Sequence, residues 1–77
     1  RALNNLSMEE KEFLKRYFSN NTKVLLLHYK HPIASALEIQ GILYQTSSGM
    51  INLKANFHII PYAWTYLNEH PELLKST

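Results

Sequence analysis

The first recurring pattern of hydrophobic positions along the chain has helical spacing. Its apolar residues, which share one side of a helix, are Phe13, Leu14, Tyr17 and Phe18. This stripe predicts an amphipathic helix with one face toward the core. Ser7 and Glu10 have the spacing of a capping box and predict its start. Residues 19–21 (SNN) predict its end, and residues 1–6 show no period, so we expect a frayed lead-in there.

A short apolar run and a proline predict the next two elements. Residues 23–29 (KVLLLHY) contain no helix or strand breaker, and they predict a strand buried on both faces or nearly so. Pro32 suits the first turn of a helix over residues 33–40, whose inward positions include Leu37. Gly41 predicts the end of that helix, because glycine adopts the left-handed conformation without steric cost.

The middle of the chain predicts two further strands. Residues 42–46 are a second strand, and residues 47–49 (SSG) are a loop signal. Residues 50–56 fit either a loop or a hairpin arm. Residues 55–60 alternate in polarity, with Phe57 on the apolar side, and predict a third strand with a mixed second face.

Aromatic residues and prolines concentrate in residues 57–74, FHIIPYAWTYLNEHPELL. Pro61 predicts the start of a final helix, which ends before Pro71 because the residue before a proline disfavours helical geometry. Tyr62 and Tyr66 lie four residues apart and share one helix face. They are candidate partner-binding residues if exposed, and otherwise pack their rings along the helix edge. The predicted core residues are Phe13, Leu14, Tyr17, Leu37, Phe57, Trp64 and Leu67.

Together these elements predict a single α+β domain over residues 1–77. The order is helix, strand, helix, strand, strand, helix, with a three-stranded antiparallel sheet. This order is typical of a degenerate winged-helix-like domain. A usual winged helix has two helices between its first strand and its hairpin, whereas residues 30–41 have room for one. The third helix comes after the hairpin instead.

Composition excludes several kinds of chemistry. The chain has no Cys and its six acidic residues are all Glu, so a disulfide, a cysteine metal cluster and aspartate-based catalysis are excluded. The two glycines are too far apart for a phosphate-binding loop. The four histidines show no i,i+4 helical spacing, so we expect no metal site. We therefore expect a protein that is not an enzyme and needs no cofactor.

Nucleic-acid binding is the alternative function that a winged helix brings with it. The helix that would enter the major groove, residues 33–40 (IASALEIQ), contains Glu38 and Gln40 but no Lys or Arg. Base and phosphate contacts favour cationic side chains. The formal net charge is only +2. The sequence thus disfavours nucleic acid as a partner, and we expect a protein partner or self-association.

Three segments carry a resemblance to a known family. They are LSMEEKEFLKRYF at residues 6–18, GILY at residues 41–44 and FHIIPYAWTYLNEHPELL at residues 57–74. With them the chain resembles the C-terminal soluble domain of the superinfection exclusion protein B family. A departure is Ile60, where a polar cap is expected before the proline. The resemblance brings no catalytic residues with it.

The resemblance implies a prophage- or phage-associated membrane protein that blocks infection by other phages. Membrane-spanning helices would precede this domain, which would lie on the cytoplasmic side of the bacterial inner membrane. The chain begins with Arg1, and we expect it to be a fragment of such a protein. The expected role is a non-enzymatic interaction or regulatory domain that binds through the sheet edge or through Tyr62 and Tyr66.

Overall fold

The predicted order of elements is present in the structure, a computed structural model that describes residues 2–47 and 53–75. The elements are α1 (Met8–Ser19), β1 (Val24–His28), α2 (Pro32–Ile39), β2 (Leu43–Ser47), β3 (Lys54–Ile59) and α3 (Pro61–Glu69). The strands form an antiparallel sheet in the order β1-β3-β2. The α+β prediction is therefore confirmed, and the likeness to a winged helix stays a prediction. Of the predicted loop at residues 47–49, Ser47 ends β2 and the rest lies outside the described residues.

Helix α1 begins at the predicted capping box. The Ser7 hydroxyl accepts a hydrogen bond from the backbone N–H of Glu10 at 3.1 Å, and the Ser7 N–H donates to the Glu10 carboxylate at 2.8 Å. Both bonds satisfy N–H groups that a helix start otherwise leaves unpaired. The cap fixes where α1 starts, and so which side chains of its stripe meet the sheet.

Helix α2 begins one residue earlier than predicted, at Pro32. Its cap is His31, whose Nδ1 accepts from the backbone N–H of Ala34 at 3.3 Å. The imidazole ring also packs against Phe13 on α1, with 5.2 Å between ring centroids. Gly41 follows the helix with φ of +81°, which confirms the predicted left-handed stop.

Replacing His31 tests the cap of α2. We expect His31→Ala to lower the free energy of unfolding by about 0.5–1 kcal/mol, the usual effect of losing an N-cap acceptor. His31→Asn keeps an acceptor and is expected to retain most of the stability. Urea unfolding followed by circular dichroism measures both. Equal losses in the two variants would show that ring packing on Phe13, and not the cap, is what His31 contributes.

The sheet is buried on one face only. On central strand β3, the residues Ala55, Phe57 and Ile59 point toward the helices and are buried, while the side chains of Asn56 and His58 point the other way. The helices therefore pack against one side of the sheet, and the opposite side stays open.

Strand β1 corrects one prediction, because it is not buried on both faces. Leu27 is buried, whereas Leu26 is 53% exposed and Val24 is 36% exposed. The strand lies at the edge of the sheet, and its even-numbered residues share the open face. A run of leucines thus predicted the strand correctly and its second buried face wrongly.

The core contains six of the seven residues assigned to it from the sequence. They are Phe13, Leu14, Tyr17, Leu37, Phe57 and Leu67. Trp64 differs, because it is half buried and packs against the edge of the core. Its ring stacks on Phe18 at 4.7 Å between centroids, and Lys23 Nζ lies 5.4 Å from its centroid. Trp64 therefore covers the core instead of filling it.

Both ends of the described chain contribute to the core. Leu3 and Leu6 are buried, and a 3-10 turn over Ala2–Asn4 carries the first of them. The expectation of a frayed lead-in over residues 1–6 is therefore wrong for this segment. After α3, a second 3-10 turn over Pro71–Leu74 brings buried Leu74 against α1. In residues 2–47 and 53–75 no helix has the length and apolar character needed to cross a membrane.

Candidate functional site

Helix α3 and its C-cap residue place three rings on one side. The helix starts at Pro61 after Ile60, which gives no side-chain cap, as its sequence predicts. Tyr62, Tyr66 and His70 follow at intervals of four residues, and such positions lie above one another on a helix surface. We call these three residues the aromatic ladder.

Neighbouring rings of the aromatic ladder are in contact. Tyr62 stacks on Tyr66 with 5.6 Å between centroids and 22° between planes. Tyr66 in turn contacts His70 at 4.6 Å and 42°. Tyr62 is 55% exposed, whereas Tyr66 is half buried and packs against the core. The ladder thus runs from an exposed ring at the start of α3 to the Tyr66 ring, which packs against the core, and then to His70.

A small cavity opens beside the exposed end of the aromatic ladder. Its volume is about 160 Å³, and Tyr62 forms part of its rim. Leu3 and Ile60 contribute apolar wall, and the turn at Gly41 closes another side. Such a cavity has room for one apolar side chain of a partner while Tyr62 covers it. This is the usual form of an anchor site for an aliphatic residue.

The charge around the aromatic ladder is sparse and negative. Pro61–Glu69 contains one charged residue, Glu69, and no Lys or Arg. Glu72 lies beyond the helix, with its carboxylate 3.4 Å from Nδ1 of His70. Phosphate groups bind where cations gather, and Pro61–Glu69 supplies none. Its chemistry favours an apolar or aromatic segment of a protein.

The histidines serve local structural contacts in the described residues. Nδ1 of His28 accepts from the backbone N–H of Lys30 at 3.1 Å, and His31 caps α2. Nε2 of His58 lies 2.9 Å from the Thr46 hydroxyl, and the His58 ring stacks on Tyr44. In the described ranges no three His or Glu residues come together in a way that could hold a metal ion.

Carboxylates take part in the contacts of the polar side chains at the end of α2, which a DNA reader would use. Gln40 donates from Nε2 to the Glu10 carboxylate at 2.8 Å. Glu38 lies 3.5 Å from the side-chain amide of Gln45 on β2. Both contacts bring carboxylates to the surface where phosphates would have to approach. This arrangement disfavours a nucleic-acid interface on α2.

Sequence reasoning missed part of the aromatic ladder and all of the cavity. His70 lies four residues after Tyr66, but it directly precedes Pro71, before which the sequence predicts the end of the helix. The cavity brings together Leu3, Gly41 and Tyr62, which are distant in sequence. No local sequence pattern predicts that these three residues line one cavity.

Comparison with known proteins identifies a family. A search of curated proteins returned no significant match. A search of solved structures also returned none. The model of one protein family, SieB, described as super-infection exclusion protein B, matches residues 1–71. This match covers nearly all of the 77 residues, including α1 to α3. The chain belongs to the super-infection exclusion protein B family.

Proposed function

We propose that this chain is a non-enzymatic interaction or regulatory domain of a superinfection exclusion protein. It binds a protein partner, or a second copy of itself, and nucleic acid is not its ligand. The parent protein is prophage-encoded and membrane-anchored, and this domain lies on the cytoplasmic side of the bacterial inner membrane. Membership of the family supports the exclusion role. The partner-binding role rests on the surface of α3.

The observation behind this proposal is the exposed ring of Tyr62 beside a cavity. Tyr62 is 55% exposed although Tyr66 stacks against it and fixes its position. A rigid aromatic side chain next to a cavity loses little conformational entropy on binding. This arrangement gives the aromatic ladder the properties of a protein-binding anchor.

The sheet edge, the other proposed surface, is less favourable on β1. Hydrogen bonds from Tyr29 N–H to Leu53 O and from Ile59 N–H to Lys23 O show that odd-numbered residues pair with β3. Because antiparallel pairing alternates, Val24, Leu26 and His28 direct their backbone groups outward.

Local contacts already occupy several of these outward groups. The Thr22 hydroxyl bonds to both the N–H and the C=O of Val24, at 3.3 and 3.0 Å. The C=O of His28 accepts from the N–H of His31 at 2.9 Å. A strand that adds to β1 would therefore find only Leu26 and the His28 N–H available. Blocked edges of this kind are how proteins prevent strand addition, so we favour the aromatic ladder over the β1 edge.

Tyr62→Ala tests this proposal in the family protein that carries the chain. We expect exclusion, measured as the drop in plaque formation by a challenging phage, to weaken by about tenfold or more, since tyrosine anchors often contribute over 1.4 kcal/mol. Thermal unfolding of the 77-residue chain should change little, because an exposed side chain contributes little to stability.

The matched control is Tyr44→Ala. Tyr44 is also exposed, at 46%, and also stacks on a neighbouring ring, but it lies on the open sheet face. We expect this variant to exclude phage normally. If Tyr62→Ala keeps full exclusion at equal protein level, or if Tyr44→Ala loses as much, the aromatic ladder is not the binding surface.

A further inference from the structure

A second surface, separate from the aromatic ladder, lies between α1 and the start of α2. It is an open groove of about 470 Å³, with Phe13 as its floor and Met8, His31 and Ile33 along its sides. Met8 is 62% exposed at the first turn of α1. An apolar groove with an apolar side chain standing at its rim is unusual on a surface that meets only water.

Two opposite charges flank this groove, and neither has an ion-pair partner among the described residues. Glu9 and Arg16 line it at positions seven apart on α1. Arg16 instead lies over the Phe13 ring, with Cζ 5.5 Å from the centroid. Among the other charges of α1, Lys15 Nζ contacts the Glu12 carboxylate at 3.1 Å. Glu9 and Arg16 therefore remain available to a binding partner.

We propose that this groove is the interface of a homodimer in which α1 packs antiparallel on α1 of a second copy. A twofold axis that crosses α1 between Glu12 and Phe13 brings Glu9 opposite Arg16 of the second copy. Symmetry then creates the same contact twice, as in any isologous dimer. The exposed Met8 of each copy enters the groove of the other.

Helix geometry supports this pairing. Seven residues rise about 10.5 Å and make nearly two turns, so Glu9 and Arg16 point in almost the same direction. Antiparallel packing reverses their order in the second helix, which matches acid to base at both ends. Near the axis the two copies of Glu12 approach each other, but each already has Lys15 beside it.

Charge balance favours a second copy over an acidic or a basic partner. Helix α1 carries three acidic and three basic residues, Glu9, Glu10, Glu12, Lys11, Lys15 and Arg16. A strongly charged partner would meet like charge at one end of the groove, whereas an antiparallel copy meets opposite charge at both. The face of one 12-residue helix is smaller than the roughly 800 Å² per partner of a stable interface, so we expect a weak dimer.

Charge reversal tests the proposed dimer with the 77-residue chain. Sedimentation equilibrium up to about millimolar concentration should show monomer and dimer for the natural sequence. Glu9→Arg and Arg16→Glu alone place like charges opposite each other, and each should weaken dimerisation at least about tenfold. An equimolar mixture of the two variants restores both contacts, so a heterodimer should form with near-natural affinity.

Lys75→Glu and Glu69→Arg are the matched controls, because they change net charge equally at exposed positions outside the groove.

Met8→Ala removes the exposed apolar side chain and should weaken the dimer without lowering the unfolding temperature. A natural chain that stays monomeric throughout the concentration range, or a mixture that associates no better than the single variants, would overturn the proposal.

Discussion

Phe57→Ala is expected to leave the domain largely unfolded at room temperature. Phe57 is fully buried at the centre of β3, opposite Leu25 on one neighbouring strand and Gln45 on the other. Truncating such a residue typically costs about 3–5 kcal/mol. A chain of 77 residues has a total stability of only about 4–12 kcal/mol, so the loss removes much or all of it. Urea unfolding followed by far-ultraviolet circular dichroism measures the change.

Trp64→Ala is the informative comparison, because the two aromatic residues differ in burial. Trp64 is half buried and rests on Phe18, with Lys23 Nζ 5.4 Å from its ring centroid. We expect a loss of about 2 kcal/mol, roughly half that of a fully buried aromatic residue. The variant should still fold. If it proves as unstable as Phe57→Ala, then Trp64 contributes as much to the core as Phe57, and partial burial does not set its contribution.

The difference between these residues explains why the sequence misplaced Trp64. The buried residues of α3 are Ala63 and Leu67, which lie four apart and define its inward line. Trp64 lies about 100° further around the helix, at the edge of that line. Trp64 was predicted to be a core residue because its side chain is large and because it lies three residues before Leu67. The small side chain of Ala63, which lets the helix approach the core closely, was the better signal.

Features encoded locally were predictable. The Ser7 capping box, the left-handed Gly41 and the uncapped Ile60 each depend on residues within one turn, and each occurs as the sequence indicates. Features that depend on the whole fold were not. Residues 23–29 look two-sided, but the open face of β1 follows from which side of the sheet the helices cover.

The candidate site shows the same division. The four-residue spacing of Tyr62 and Tyr66 predicts a shared face, and the structure stacks the two rings. The cavity beside them depends on Leu3, in a segment with no periodic pattern that is nevertheless buried. Its position follows from tertiary packing, which a single sequence does not reveal. The sequence therefore predicts two residues of the candidate site, but it does not predict the cavity beside them.

Tyr17→Phe is expected to be less stable than the natural chain at neutral pH. This difference in stability is expected to shrink at alkaline pH. The Tyr17 side chain is fully buried, and its hydroxyl donates to the backbone carbonyl of Phe57 at 2.9 Å. This bond joins α1 to the central strand. Without the hydroxyl, the buried carbonyl loses its partner, which costs about 1 kcal/mol or somewhat more.

The alkaline behaviour follows from ionisation. Burial raises the pKa of the Tyr17 hydroxyl well above its usual value of 10.0, an effect that the nearby positive charge of Arg16 partly offsets. The folded chain therefore keeps a proton that the unfolded chain releases above about pH 10. Stability from this group is complete below that pH and falls as the pH rises, by up to about 1.4 kcal/mol per unit.

Tyr17→Phe cannot ionise at this position, so its stability should fall less steeply with pH. Denaturant unfolding from about pH 7 to about pH 11 should show the natural chain more stable at first and the difference closing above about pH 10. Tyr62→Phe, at an exposed tyrosine, is the control and should parallel the natural chain. A constant difference between Tyr17→Phe and the natural chain would mean that the hydroxyl reaches water in the folded state. The α1 contact to β3 would then not be the dry hydrogen bond that the structure shows.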